Sequence, residues 1–476
     1  MDRKEMFAKV GDGLRDPGSL ADAMEKSGFS RKDVNAVRFM VSADEESFRT
    51  AVLSEDSASS SEAVTRLSEE TSIARPAVAS LVEDMRHALG LERPKKHDSE
   101  LMEVKNAGNN TMVGPGGFIF RPNPDRARCF DLYRYKGEVR EVEIPEAVVM
   151  GGLRYEVRTI SDSAFKDTEV ESIKLHKGIR SVGATAFKGC SRLASIMIPE
   201  TVSEIGEGAF RECSALKSIE VEEGSPSFVS VGGLVYSKGL SALLHVPGGI
   251  EGAVEVHEGA KAIGPFAFWR CRGVSSVKLP ESLESIGNSA FSGCTGLSSI
   301  HIPASVSSIG DYAFNECAGI EKFEVDAGNR NYKSVDGRLL TADMKTLVRA
   351  PGGIAGTVVV DDVEAIGMNA FGCCEKLEAV RIGPEVRSIG RDAFKGCTSM
   401  KTLEISEGVS SIDRYAFFGC KSLEKVRIPG SVTSMGTWAF GECDSLKKAE
   451  VPSTLELNPT FFPQGTEIVR MRGKNN

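Results

Sequence analysis

The segment CSRLASIMIPETVSEIGEGAFREC, Cys190–Cys213, contains one complete period of a repeat that extends over most of the chain. Its Ala-Phe dipeptide occurs ten times, and seven of the nine intervals between these phenylalanines measure 22 or 23 residues. Such a short fixed period is typical of a solenoid, in which each period forms one coil. The ten phenylalanines are Phe165, Phe187, Phe210, Phe268, Phe291, Phe314, Phe371, Phe394, Phe417 and Phe440.

Each repeat is predicted to form two short strands separated by turns. The pattern Leu-x-x-Ile-x-Ile-Pro, as in residues 193–199, alternates apolar and outward positions, which predicts a strand. Pro199 ends this strand because proline donates no hydrogen bond to a neighbouring strand. A second strand carries Val and Ile, and a glycine follows that isoleucine in eight of the ten repeats, Ser161 and Asp413 being the exceptions. We expect this glycine to supply a positive φ in a turn.

A cysteine stands three residues after the phenylalanine in nine repeats. One unit alone cannot bury its apolar residues, whereas coils stacked about 4.7–4.9 Å apart can. The cysteines would then form a column in the core, where free cysteine behaves as a small hydrophobe. Zinc and disulfide bonding are the alternatives, but the first favours closely spaced pairs of ligands and the second needs Cβ atoms that face each other. The column comprises Cys190, Cys213, Cys271, Cys294, Cys317, Cys374, Cys397, Cys420 and Cys443, whereas Cys129 and Cys373 lie outside it.

The two long intervals between phenylalanines form a second level of repetition. GSPSFVSVGGLVYSKGLSALLHVPGG, residues 224–249, aligns with GNRNYKSVDGRLLTADMKTLVRAPGG, residues 328–353, at a constant offset of 104. Both segments contain β-like runs and glycine turns, which predict a longer coil that carries hairpins. Three short coils and one long coil therefore recur as a larger unit.

The repeat HIPASVSSIGDYAFNECAGI, residues 301–320, resembles the BspA-like branch of the leucine-rich repeat proteins. The long coil is also typical of that family, and residues 117–165 resemble its N-terminal cap. The resemblance covers roughly residues 117–472. It implies a solenoid that binds proteins, and several members of the family are bacterial surface adhesins.

The first ~90 residues differ from the repeats, since their periodicity is helical. Ser42 and Glu45 have the spacing of a capping box, and Gly90 is placed to end a helix after residues 75–89. We therefore predict an α+β multidomain chain, in which a β-rich leucine-rich-repeat solenoid with two hairpin-bearing coils follows a small all-α domain. The predicted divisions are a helical domain (1–91), a linker (92–112), an N-terminal cap (113–165), the solenoid (166–452) and a C-terminal cap and tail (453–476).

Composition and motifs exclude several classes of function. The net charge of −9 offers no basic surface for nucleic acid, and no run of about 18 apolar residues predicts a membrane span. The six histidines are scattered, and the glycine-rich segment VGPGGF, residues 113–118, lacks the Gly-Lys-Ser/Thr of a phosphate loop. The sequence thus predicts a protein without catalytic, cofactor-binding or metal-binding residues. The N-terminus lacks a signal peptide, which predicts a cytoplasmic location, with the cell surface as the alternative.

Binding to a protein partner remains, and the outward strand positions are the candidate surface for it. The middle residue of Ile-x-Ile and the residue before the first isoleucine point away from the core. These positions are serine-rich in the first half of the chain and densely charged, with both signs, in the second half. They form either a solvated face or a recognition face. The candidate protein-binding residues are Lys322, Glu324, Arg381, Glu404, Lys425, Arg427 and Glu450.

Two functions remain open on these observations. The first is a monomeric interaction scaffold, in which the solenoid binds one protein and the helical module binds a second. The other is a surface or secreted adhesin that binds host or neighbouring-cell proteins. Neither requires a cofactor.

Overall fold

The computed structural model describes residues 63–69, 78, 82, 102–126 and 128–471. The chain forms two compact units, Met1–Leu101 and Met102–Asn476. In the first unit, residues 63–69 form helix α1, and Ala63, Val64 and Leu67 on it are buried. The helical prediction is confirmed for this segment. Val78 and Val82, within the helix predicted over residues 75–89, are also helical and buried. The rest of the elements predicted in residues 1–91 lie outside the described residues.

The second unit begins with a twisted sheet that closes the N-terminal end of the solenoid. Its strands follow the order β1-β7-β8-β5-β4-β3-β2, and a 3₁₀ turn at Pro115–Gly117 precedes β4. Residues 102–112, which the sequence assigned to the linker, belong to this sheet, because Val104 and Met112 are buried in its core. The strands are β1 (Met102–Glu103), β2 (Lys105–Gly108), β3 (Thr111–Val113), β4 (Phe118–Pro122), β5 (Cys129–Tyr135), β7 (Ala147–Met150) and β8 (Leu153–Ile160).

The first strand of each coil lies in one row, here called the strand face. The strands of this row pair in parallel in groups of two or three, and their side chains alternate between buried and outward positions. The row contains β6 (Glu141–Glu143), β9 (Ser172–Lys174), β11 (Ser195–Ile198), β13 (Ser218–Val221), β17 (Gly252–Glu255), β19 (Val274–Lys278), β21 (Ser299–Ile302), β23 (Lys322–Val325), β27 (Gly356–Val360), β29 (Leu377–Ile382), β31 (Thr402–Ile405), β33 (Lys425–Arg427), β35 (Lys448–Pro452) and β36 (Glu467–Met471).

A second row contains the two-residue strands that precede the Ala-Phe turns. They also pair in parallel from coil to coil, with the isoleucine or valine directed into the core. The row contains β10 (Ser181–Val182), β12 (Glu204–Ile205), β18 (Ala262–Ile263), β20 (Ser285–Ile286), β22 (Ser308–Ile309), β28 (Ala365–Ile366), β30 (Ser388–Ile389), β32 (Ser411–Ile412) and β34 (Ser434–Met435). Two rows of stacked strands confirm the predicted β-solenoid.

Each long coil carries an antiparallel three-stranded meander, which confirms the predicted hairpins. The first hairpin of each meander has a two-residue turn, Gly232-Gly233 or Asp336-Gly337, and all four residues have positive φ. This is the turn geometry that fits the twist of a β-hairpin. The strands are β14 (Phe228–Val231), β15 (Leu234–Ser237) and β16 (Ala242–His245) in the first meander, and β24 (Tyr332–Val335), β25 (Arg338–Thr341) and β26 (Thr346–Arg349) in the second.

The structure corrects the explanation of the repeated glycine. None of the eight glycines that follow the second-strand isoleucine has positive φ. They are required by close stacking instead: a Cβ at Gly206 would lie 2.3 Å from the backbone nitrogen of Ala184, and one at Gly436 would lie 2.1 Å from that of Arg414. Positive φ occurs two residues before and two residues after every ladder phenylalanine, for example at Tyr415 and Gly419 around Phe417.

The ladder phenylalanines form stacks along the core, as the periodicity predicted. Ring centroids in neighbouring coils lie between 4.7 and 5.5 Å apart, as in Phe268–Phe291 and Phe187–Phe210. Tyr135 of the N-terminal cap lies 5.2 Å from Phe165, and Phe462 lies 5.3 Å from Phe440, so aromatic residues outside the repeats cover both ends of the stack.

The cysteine column is buried, as predicted, and every one of its thiols is free. Its members also form hydrogen bonds, which the sequence analysis did not anticipate. In seven coils Sγ donates to the carbonyl oxygen of the ladder phenylalanine in the preceding coil, with Sγ–O distances between 3.0 and 3.3 Å. Each of these carbonyls also accepts from the backbone N–H three residues later, so the thiol adds a second hydrogen bond while it fills the volume of a small apolar side chain.

Candidate protein-binding face

The outward residues of the strand face stand in register from coil to coil. On neighbouring strands, His301 lies directly opposite Glu324, Arg381 lies opposite Glu404, and Arg427 lies opposite Glu450. Since neighbouring parallel strands lie about 4.8 Å apart, opposite charges at these positions are within reach of each other. The strands thus arrange the charged residues of the repeats as lines that run along the solenoid.

Most charges on this face form ion pairs within the chain. Arg381 contacts Glu404 at 3.1 Å, Lys448 contacts Glu450 at 2.9 Å, and Lys322 contacts Glu324 on the same strand. The side chains are largely exposed, for example 63% for Arg381 and 58% for Glu404. Exposed pairs of this kind contribute about 0–1 kcal/mol each, so they do little for stability.

The ion pairs shift several pKa values in the expected directions. The hydrogen bond with Glu324 raises the pKa of Lys322, and Lys322 in turn lowers the pKa of Glu324. The contact with Lys448 lowers the pKa of Glu450, and the nearby charges of Arg427 and Lys425 add to this effect. Lys322, Glu324 and Glu450 therefore remain charged near neutral pH.

The seven candidate residues fall into two groups on the face. Lys322 and Glu324 lie on β23, where Phe323 donates its backbone N–H to the carbonyl of Gly337 at 2.8 Å. The turn of the second meander thus lies against β23, and β27 follows before the face reaches Arg381 on β29. The second group is denser, with Arg381 on β29, Glu404 on β31, Lys425 and Arg427 on β33, and Glu450 on β35.

Two cations of the second group differ from their neighbours. Lys425 and Arg427 are exposed, and neither forms an ion pair with any carboxylate in the part of the chain that the structure describes. Both project from β33, between the charged pairs on β29–β31 and β35.

The sequence analysis missed two strands of the face. β17 and β27 follow the meanders and lack the Ile-x-Ile-Pro pattern. The alternating valines in their sequences, GAVEV and GTVVV, could have revealed them as strands. They place Glu255 in register with Lys278, and Val359 in register with Arg381. Val359 is 49% exposed and adds an apolar position beside the charged group.

Buried polar residues at the two long coils were also missed. His245 and Arg349 occupy equivalent positions at the ends of β16 and β26, and both are buried. Burial lowers the pKa of His245 to about 4. The signal was available in the aligned copies LLHVPGG and LVRAPGG, where these are the polar residues of otherwise apolar runs.

The described residues include no cluster of three or more His, Cys, Asp or Glu side chains that could hold a metal ion. None of the described helices combines the length and the apolarity that crossing a bilayer requires.

Comparison with solved structures places the fold among bacterial leucine-rich repeat proteins. A leucine-rich cell surface protein from Faecalibacterium prausnitzii is 25% identical, with a TM-score of 0.50, and the match covers 80% of this chain and 97% of that one. A leucine-rich repeat protein from Eubacterium ventriosum is 18% identical (TM-score 0.42, 67% and 74% covered), and the pneumococcal vaccine antigen PcpA is 15% identical (TM-score 0.40, 79% and 95% covered).

No curated protein matches the sequence significantly. The family model described as the BspA type leucine-rich repeat region matches residues 153–232, 254–335 and 358–470, in six copies. These ranges include all ten Ala-Phe turns and leave out only parts of the two long coils between them. They agree with the two rows of stacked strands. The chain therefore belongs to the BspA-type leucine-rich repeat family.

Proposed function

We propose that this chain is a non-enzymatic interaction scaffold, and that its solenoid binds a protein partner through the C-terminal part of the strand face. The observation that carries the proposal is the arrangement around β33. There, exposed Lys425 and Arg427 form no ion pair with a described carboxylate, whereas the charges on both sides are paired. Cations that form no ion pair with a described carboxylate are available to an acidic surface, and such charges set the rate and selectivity of association.

The partner is proposed to be a protein that presents acidic residues beside a small apolar contact. Val359 and the aliphatic stems of Arg381 and Arg427 offer apolar surface between the charges. The scaffold is proposed to act as a monomer, with the helical module of residues 1–91 binding a second partner.

The cell surface is the second candidate setting for this function. The cytoplasmic location expected from the sequence finds no support in the comparisons. The alternative fits the likeness to the F. prausnitzii protein, which is described as a cell surface protein. Treating intact source cells with a protease that cannot enter them distinguishes the two, since only a surface protein would be degraded.

Charge reversal in the full-length chain tests the binding face. The double variant Arg381→Glu, Arg427→Glu should bind the purified protein partner more weakly than the wild-type chain does. Added salt should weaken the wild-type complex, because it screens exposed charges. Binding is measured by surface plasmon resonance at low and at physiological ionic strength.

The matched control is Lys174→Glu together with Lys278→Glu, which makes the same change in the first half of the face. Both lysines form exposed ion pairs, with Glu143 and Glu255 respectively, so the control also loses intramolecular pairs. Equal affinity in wild type and both variants at low salt would contradict the proposed face.

A further inference from the structure

The two long coils interrupt the phenylalanine stack at two equivalent junctions. The first lies between Phe210 and Phe268, and the second between Phe314 and Phe371. The same fold is thus built twice from different side chains, which allows a comparison within one molecule. Each residue of the first long coil, and of the turn before it, corresponds to the residue 104 positions later at the second junction. In the Ala-Phe turn that follows the long coil, the corresponding residue lies 103 positions later.

Aromatic and cationic side chains fill the first junction. The guanidinium carbon of Arg211 lies 3.9 Å from the ring centroid of Trp269 and 4.5 Å from that of Phe266. His245 packs edge-on against Phe210, with centroids 5.5 Å apart, and Tyr236 is fully buried beside them. This junction is closed by its own side chains.

Smaller and polar residues occupy the same positions of the second junction. Gly372 stands in place of Trp269, Asn369 in place of Phe266, Leu340 in place of Tyr236 and Arg349 in place of His245. A cavity of about 200 Å³ lies at this junction. Its lining includes Tyr312, Phe314, Thr346, Arg349, Met368 and Asn369.

Arg349 brings a buried positive charge to this cavity. Its side chain donates to both the backbone carbonyl and the side-chain oxygen of Asn369, the latter at 3.0 Å, and to the carbonyl of Gly372 at 2.9 Å. The residue is 4% exposed, and its Nε finds no hydrogen-bond partner in the described part of the chain. No described carboxylate pairs with it, and a buried charge without a counter-ion is unfavourable.

Gly372 is required for this arrangement. A Cβ at this position would lie 1.9 Å from the side-chain nitrogen of Asn369, so the amide whose oxygen accepts from Arg349 would have to move. The glycine in place of Trp269 therefore leaves room for the Asn369 side chain that orients Arg349.

The neighbouring acidic residue is already neutralised. Tyr312 donates a hydrogen bond to Asp392, Arg391 donates to the Tyr312 oxygen at 2.6 Å, and Arg391 and Lys395 both form ion pairs with Asp392. Asp311 also lines the cavity, but its side chain is exposed, where water screens its charge. The charge of Arg349 thus remains without a partner.

We propose that the cavity at the second junction binds a carboxylate group, with Arg349 as its cationic partner. Hydrogen bonds to charged groups are the strong ones, and arginine is well suited to carboxylates. The volume is below the range of about 300–1,000 Å³ typical of pockets for drug-sized ligands, so it suits a short group. The carboxylate can come from an Asp or Glu side chain of a protein partner or from a small free acid. The cavity lies apart from the proposed binding face and does not depend on it.

Methionine-methyl NMR of the full-length protein tests this assignment, because Met368 lines the cavity and is 38% exposed. The probes are sodium acetate, the blocked peptide acetyl-Gly-Glu-Gly-amide and the same peptide with Gln for Glu. Met368→Leu identifies the signal, and Met197, which is 50% exposed on the strand face, is the internal control. Acetate and the Glu peptide should shift the Met368 signal to saturation, whereas the Gln peptide should not. Tighter binding of the peptide indicates a protein-borne carboxylate, and tighter binding of acetate a free acid.

Two variants locate the interaction. Arg349→His reproduces the residue of the first junction and should weaken binding by about tenfold or more, as expected for one hydrogen bond to a charged group. Thr346→Gln extends a lining side chain into the cavity and leaves the hydrogen bonds of Arg349 in place, so it should also reduce binding. This variant tests the proposal if Arg349→His fails to fold. An unchanged Met368 signal with both carboxylate probes, equal shifts with the Glu and Gln peptides, or full binding in a folded variant would each overturn the proposal.

Discussion

The thiol of Cys294 donates a hydrogen bond to the carbonyl oxygen of Phe268 in the preceding coil, with Sγ 3.0 Å from the oxygen. The same relationship joins Cys317 to Phe291 at 3.0 Å. The two residues that define the repeat are therefore bonded to each other across the coil boundary. The Phe268 carbonyl also accepts from the backbone N–H of Cys271 at 3.0 Å, so the thiol adds a second hydrogen bond that alanine could not supply.

Replacing this thiol tests the importance of the bond. Cys294→Ala should lower the free energy of unfolding by about 0.5–1.5 kcal/mol, because the buried carbonyl of Phe268 loses one of its two hydrogen bonds. Urea unfolding followed by circular dichroism measures the change. Cys373→Ala is the control, since Cys373 lies outside the column and is only partly buried. Equal losses in the two variants would show that the hydrogen bond is unimportant.

The column thiols should be unreactive in the native protein. Burial raises the pKa of Cys271 and of Cys317 to about 12, so almost no thiolate is present near neutral pH. A thiol reagent followed by mass spectrometry should label few column cysteines before denaturation and most of them afterwards. Rapid native labelling, or zinc bound in stoichiometric amounts, would contradict the core role.

Truncation of a ladder phenylalanine should be costly. Phe291→Ala and Phe394→Ala should each lower the free energy of unfolding by about 3–5 kcal/mol, since each ring is buried between two others. Lys278→Ala, on the exposed strand face, should change it by less than ~0.5 kcal/mol. Hydrogen exchange should detect the damage first in the neighbouring coils, because each coil contacts mainly its neighbours. Comparable costs for all three variants would invalidate the inward and outward assignment.

Two glycines should respond differently to alanine. Gly419 has φ +73°, and a Cβ there would make only ordinary contacts, 3.8 Å from the backbone of Gly396, so Gly419→Ala should cost only the strain of a left-handed residue, about 1–2 kcal/mol. Gly436→Ala should cost more, because its Cβ would collide with the backbone of Arg414 and force the coils apart. Thermal unfolding of both variants gives the comparison. A smaller loss for Gly436→Ala would argue against the close-stacking explanation.

His245 should make stability depend on pH. The pKa of His245 is about 4 in the folded protein and about 6.5 in the unfolded chain. Between these two pH values the imidazole is protonated in the unfolded chain but stays neutral in the folded protein. Stability is therefore lost as the pH falls from about 6.5 towards 4, by up to ~3 kcal/mol from this residue. His245→Leu should show a smaller loss over that interval, measured by urea unfolding at several pH values. His301→Leu, at an exposed position, should keep the wild-type dependence; identical curves for all three proteins would exclude this role of His245.

The regular coils could be predicted in detail because each one repeats the same packing problem. Ile196, Phe210 and Cys213 recur at a fixed interval, so their burial followed from the period alone. The reason for the glycine could not be found in the same way. A turn with positive φ and a collision between coils both select glycine, and only the stacked backbones distinguish them.

The irregular parts were harder to predict, since they depend on contacts that occur once. The composition of residues 102–112 is as polar as that of a linker. Val104 and Met112 are nevertheless buried in the core of the cap sheet. At the second junction, the contact between Asn369 and Arg349 depends on Gly372, which stands where the aligned copy has a tryptophan. For the strand face, the sequence predicted that the charged candidates point outward, but it did not reveal that the second meander separates Lys322 and Glu324 from the others.

The offset of 104 residues between the two long coils has a consequence for how such a chain can change in length. Joining Phe210 directly to Asn315 would remove one set of three short coils and one meander, and every remaining column of Phe, Cys and strand residues would keep its register. Duplication of the same span would lengthen the solenoid in the same way. Unequal crossing-over in the gene can thus add or delete whole blocks of surface without disturbing the core, and the span of the molecule can evolve independently of its stability per coil.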